Sequence, residues 1–164
     1  TIFLFLLTAA QLVGEIFGFY KYVKGWDSML HLSSGALISV IAFSVIHLLN
    51  NSDKKEFKLS PFFVALFAFS FASMIGVLWE IFEYTVDGIF QGNMQRYKDS
   101  VTGELWYGRA ALRDTMKDFI LNSLGALLAS LIGYIDLKRE SYLMDKLIIK
   151  RIEENDKESS VNEG

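Results

Sequence analysis

The sequence predicts an all-α membrane protein: a polytopic bundle of four transmembrane helices followed by a C-terminal amphipathic helix. Three observations carry this. Apolar residues make up 52% of the 164 residues and charged ones only 21%, an apolar share at or above the top of the soluble range. Stretches from Ser28 to Leu49, Pro61 to Trp79 and Phe119 to Ile135 run almost without charge over about 17 to 22 residues, the length that crosses a bilayer. A further apolar stretch, Thr1 to Tyr20, has neither a basic leader nor an Ala-x-Ala cleavage pattern, so it reads as a membrane helix and not a signal peptide. The absence of cysteine excludes a disulfide framework, a zinc ribbon and a thiolate nucleophile.

Each element has a local justification. Tyr20, Lys21, Tyr22, Lys24, Gly25 and Trp26 form an aromatic and basic turn of interfacial type, and the second span starts at Asp27. Residues 50–59 are a polar loop, after which Ser60 and Pro61 supply the cap and first-turn residue of the third span. That span runs to about Asp87, where Gly88 and Gly92 are expected to end it. A loop of about twenty residues follows, with Trp106 and Tyr107 as interface anchors, and the fourth span begins near Asp114. Residues 1–137 thus form the bundle. In 138–164, Leu143, Met144, Leu147, Ile148 and Ile152 recur at helical spacing opposite charged residues, which predicts a cytoplasmic amphipathic helix, and the polar tail after it is expected to be disordered.

The ionisable residues within the spans carry the functional signal. Asp27 and His31 are four apart, Glu80, Glu83 and Asp87 are spaced three and four, and Asp114 and Asp118 are four apart with Asn122 one turn deeper. Glu15 lies near the end of the first span. Successive spans alternate direction, so all these groups converge at similar depth near one membrane face. A charge at the centre of a membrane helix costs roughly 2.5 to 3.5 kcal/mol, so such a grouping reads as a site. The same faces continue inward as small residues, Gly35 and Ser39, Ala68, Ala72 and Gly76, and Gly125, Ala129 and Gly133, which lets the helices approach closely.

The blocks Asp27-x-x-x-His31-x-x-x-Gly35, Trp79-Glu80-Ile81-Phe82-Glu83-Tyr84 with Asp87, and Asp114-Thr115-x-x-Asp118-x-x-x-Asn122-x-x-Gly125-Ala126 resemble the YjdF-type family of bacterial and archaeal inner-membrane proteins. More distantly they resemble VanZ-like proteins, from which this chain departs at Glu83 and Tyr84 and in lacking an Arg-rich stretch before the last Asp. The resemblance implies a membrane protein and supplies no mechanism.

The residues themselves suggest one. Several carboxylates with one imidazole suit a divalent ion such as Mg²⁺, Mn²⁺, Zn²⁺ or Fe, with Asp27, His31, Asp87, Asp114 and Asp118 as candidate ligands. Glu80 and Glu83 lie deepest and are the candidates for general base. Arg109, Arg113 and Lys117 can donate to phosphate oxygens, and Glu15, Tyr84 and Asn122 are candidate supporting partners. The expected activity is that of a hydrolase or transferase on a lipid-borne or other amphiphilic substrate. The alternatives are a divalent-cation or proton transporter and a non-catalytic membrane scaffold. The expected partner is membrane lipid, and no nucleic acid. The loop between spans two and three and the near tail hold eight basic residues against six on the other side, so the positive-inside rule predicts a plasma-membrane protein with a cytoplasmic C-terminus.

Overall fold

The computed structural model describes residues 14, 16–50 and 59–139. Their elements are a one-turn helix α1 (Phe19–Tyr22), α2 (Trp26–Asn50), α3 (Pro61–Phe90), a 3-10 turn (Gly108–Ala110) and α4 (Arg113–Arg139). The last three α-helices are each long and apolar enough to cross a membrane. They correspond to the second, third and fourth expected spans. Most of the expected first span lies outside the described residues, as do Glu15, the loop 51–58 and the chain from 140, on which the amphipathic helix was expected.

The helix boundaries follow from local chemistry. Gly25 has φ of 84°, a left-handed conformation that glycine adopts at little cost, and α2 starts directly after it. Ser60 caps α3 by accepting from the Phe63 amide at 3.3 Å, with Pro61 at the first helical position, where its missing N–H costs nothing. The end of α3 differs from the expectation. Gly88 remains helical and the helix stops only at Phe90, where Gln91 turns left-handed at φ 55°. The reason lies one turn back: both Asp87 oxygens accept backbone amides beyond the helix, from Met94 at 2.8 Å and Gln95 at 2.9 Å, so the reversal is fixed by a carboxylate rather than by glycine.

Packing is set by small residues. A Cβ on Gly125 would run into the Leu32 carbonyl of α2, one on Gly35 into the Asn122 carbonyl of α4, and one on Gly76 into the Asn122 side chain. Gly133 lies against the Phe43 ring. Thus α4 is seated between α2 and α3 at near-backbone contact, as small residues permit in membranes. Deeper layers are apolar: Ile38, Ala72 and Ala126 in one cluster, and Ala42, Phe43, Val64, Ala65 and Ala68 in the next. A buried Ser39–Ser130 hydrogen bond of 2.7 Å joins α2 to α4. At the far end the Asn50 side chain donates to the Leu59 carbonyl and accepts from its amide, tying the end of α2 to the start of α3. Large residues such as Phe62, Leu78, Phe82, Leu128 and Ile132 point outward, an arrangement suited to lipid and not to water.

The connection from Gln91 to Leu112 is held by its own polar groups. Asn93 brackets the Lys98 backbone, Asp99 accepts the amides of Val101 and Thr102 at 2.8 Å each, and Trp106 donates its amide to Tyr97. Trp106 and Tyr107 are exposed at its end, where interfacial anchors were expected.

Candidate functional site

The start of α2, the last three turns of α3 and the start of α4 meet at one end of the bundle. Asp27 and His31 lie one turn apart, and the His31 Nε2 atom is 3.7 Å from Asp27 and 3.9 Å from Asp118 across the helix pair. One ligand atom from each of Asp27, His31 and Asp118 can be chosen so that all lie within 4.8 Å of one another. The His31 and Asp118 side chains are buried, with Asp27 at the rim.

Two cations face this group. Lys117 Nζ reaches three carboxylates at once: Asp114 at 3.1 Å, Asp27 at 3.2 Å and Asp118 at 3.4 Å. Arg96 lies 3.7 Å from Asp114 and 3.9 Å from Asp27, with its guanidinium over the Tyr20 ring. Arg96 adopts a left-handed backbone, φ 49°, which costs a non-glycine residue about 1 kcal/mol. That conformation sits where Asp87 turns the loop back, and it delivers the guanidinium to the mouth of the site.

Glu80 stands apart. It is only 3% exposed, and neither carboxylate oxygen has a hydrogen-bond partner among the described residues. It lies within electrostatic reach of Asp27, Asp114 and Asp118. The Gln95 amide, which donates to the Thr115 hydroxyl at 3.1 Å, and that hydroxyl itself lie beside the Glu80 carboxyl and interact with it from beyond ordinary hydrogen-bond geometry. Buried polar atoms are nearly always closely paired, so a buried carboxyl with only these long contacts is unusual.

The remaining candidates are distributed as follows. Glu83 is buried and accepts from the Trp79 indole at 2.8 Å. Asp87 is buried with both oxygens engaged by the loop amides and is not among the ligand atoms that converge at His31. Asn122 donates to the Ala72 carbonyl at 3.2 Å, one layer deeper, rather than to a carboxylate. Tyr84 points outward, and Arg109 and Arg113 are exposed with no ion pair among the described residues. Sequence reasoning missed Arg96 and Gln95 as members of the site. Both are in an irregular loop with no periodicity to place them, and the one available signal was the acid at the helix end, Asp87, which recruits that loop.

The model of the family described as "Predicted membrane protein (DUF2238)" matches residues 1–139. The chain belongs to that family. Among relatives, it is 28% identical over 125 residues to an uncharacterized protein of Thermotoga maritima, a match that covers 76% of this chain. The chain spans 55% of the length of that relative. No solved structure matches it. The family match covers all three described spans and every residue of the site.

Proposed function

We propose that the Asp27–His31–Asp118 group holds a divalent cation and that the protein is a metal-dependent hydrolase or transferase of a lipid-borne, phosphorylated substrate. The observation that carries this reading is the triad of ligand atoms within 4.8 Å, with the buried Glu80 carboxyl, held only by long contacts to Gln95 and Thr115, in electrostatic reach of it. Oxygen and imidazole donors suit Mg²⁺, Mn²⁺, Zn²⁺ or Fe²⁺. A cation held by Asp27, His31 and Asp118 would supply Lewis-acid polarisation of a phosphoryl oxygen, and Glu80 is the group available to take a proton from attacking water or alcohol. Arg96 and Lys117 at the mouth supply donors for the remaining phosphate oxygens. The site sits at a bundle end, at the depth of a lipid headgroup, in a protein of the plasma membrane with its C-terminus in the cytoplasm.

Two other roles are weighed against it. Cation or proton transport finds some support in the buried Ser39–Ser130 pair and the buried Asp136 further along α4. The step from Asn122 to Ser130 is about 12 Å by helical rise, however, and is filled by Ile38, Ala72 and Ala126, which favours a site served from one face. A purely structural polar seam would be expected to pair its members closely, whereas Glu80 has only long contacts to Gln95 and Thr115 among the described residues.

The test is reconstitution of purified protein with phosphorylated lipids and Mn²⁺. Wild type is expected to release phosphate or headgroup. Glu80→Gln should lower turnover by at least about 10²-fold while still binding Mn²⁺, and His31→Ala should lose the metal. Cation flux across sealed vesicles without turnover would overturn the enzymatic reading.

A further inference from the structure

Directly below His31 the bundle has an opening that the cation site does not use. It is lined by Leu30, His31, Ser34 and Ile38 of α2, Ile75, Gly76 and Trp79 of α3, and Asn122 of α4, and it is a cleft with a volume of about 50 Å³. Ser34, Ile75 and Trp79 are half-buried, so the slot opens on the outer surface between α2 and α3, flanked by the exposed Leu37 and Leu78. From Leu30 to Ile38 it descends about 12 Å along the helix, away from the membrane face at which the site lies.

The chemistry of its walls decides what it can hold. Among its polar groups, the Ser34 hydroxyl is spent on the His31 carbonyl at 3.1 Å, the Trp79 indole on Glu83, and the Asn122 amide on Ala72. A polar occupant would find few donors left, His31 at the upper end and the second N–H of Asn122 at the floor. The floor is closed by the Asn122 side chain, which packs directly on Gly76 and leaves no room there for a Cβ. A mostly apolar slot with few free polar groups and its upper end at the cation site fits a hydrocarbon chain.

We propose that this slot holds one hydrocarbon chain of a membrane lipid whose polar head meets Asp27, His31 and Asp118. The inference rests on the lipid-substrate reading above and adds its second contact: Ser34, Ile38, Ile75 and Trp79 select the chain while the cation site selects the head. Chain and head are then gripped by adjoining surfaces, which orients the scissile phosphate against the site.

Photolabelling tests it. Full-length protein in phosphatidylcholine vesicles is irradiated with increasing amounts of phosphatidic acid carrying a diazirine in its acyl chain, and adducts are mapped by mass spectrometry. Adducts on Ser34, Ile38, Ile75 and Trp79 should saturate and be displaced by unlabelled phosphatidic acid, whereas those on Leu37 and Leu78 should rise in proportion to the probe. Ile75→Trp should reduce the slot adducts by about tenfold and leave the outer ones unchanged. Slot adducts that never saturate, or outer adducts alone because the slot is already filled by protein, would overturn the inference even in wild type. Mn²⁺ binding measured by electron paramagnetic resonance on the same samples separates the two claims. Binding without slot saturation defeats the slot alone, and saturation without Mn²⁺ binding defeats the cation reading alone.

Discussion

At the scale of single residues, Lys117 organises the site. Its ammonium is held by Asp27, Asp114 and Asp118 at 3.1 to 3.4 Å, so it occupies the centre of negative charge that a divalent cation would also seek. Lysine is a compact, flexible point charge and its side chain is 37% exposed, so it can turn outward when another cation enters. Two opposite effects are expected in Lys117→Met. Without metal the protein should melt at a lower temperature, because converging carboxylates lose their counter-charge. Its affinity for Mn²⁺ should rise by about tenfold, and saturating Mn²⁺ should restore the melting temperature by mass action. Calorimetric titration and thermal unfolding in detergent would check both, and an unchanged Mn²⁺ affinity would remove Lys117 from any competition at the site. The acids and histidine around Lys117 were legible in the sequence because a helix converts spacings of three and four into a shared face. The role of Asp87 was less so. Spacing placed it in line with Glu80 and Glu83, but only the folded loop shows its oxygens taken by the Met94 and Gln95 amides. Arg96 was invisible for the complementary reason, since a loop residue in a left-handed conformation has no periodicity to read.

At the scale of elements, the close seating of α4 on α2 is what brings Asp118 to His31. In a membrane, helices gain little from burying apolar surface and associate by close packing instead. The small-residue faces were readable in sequence for that reason, whereas which glycine meets which helix was not. The structure puts Gly125 against the Leu32 carbonyl and Gly35 against the Asn122 carbonyl, so α2 and α4 touch at two successive turns. Gly125→Leu should therefore push the helices apart by the width of a side chain, and both thermal stability and Mn²⁺ binding should fall together. Ala129→Leu on the same helix, at a half-buried position, is expected to cost less. Unfolding curves of the two variants in one detergent give the comparison. The loop above the site has its own pH-sensitive hold. The amides of Thr102 and Val101 stabilise the charged form of Asp99 and bring its carboxyl below the ordinary value of 3.8. Since the folded value is the lower one, this hold is present at neutral pH and is lost as pH falls through it. Amide exchange at Val101 and Thr102, corrected for intrinsic rates, should be slow at neutrality and accelerate below the ordinary aspartate range, and Asp99→Asn should remove that dependence.

At the scale of the whole molecule, the question is which side of the membrane the site faces. The three described spans alternate, so the start of α2, the end of α3 and the start of α4 share one side, and the Asn50–Leu59 clasp marks the other. On the clasp side, Lys54, Lys55 and Lys58 lie in the short connection between spans, joined by Lys138 and Arg139 at the end of α4. On the site side the basic residues are of two kinds: Arg96 is drawn into the carboxylate cluster, while Arg109 and Arg113 stand exposed beside Trp106 and Tyr107. Orientation follows positive charge in short loops near the span ends, and acidic residues count for little in it. The clasp side has the denser short loop, so it is expected in the cytoplasm, with the site and Thr102 outside. The sequence has no cysteine, so single cysteines report without background. In intact cells Thr102→Cys should react with an impermeant maleimide and Ser52→Cys should react only after the membrane is opened. The opposite pattern would turn the molecule over and place the site on the cytoplasmic leaflet, where its lipid would have to be supplied from within the cell.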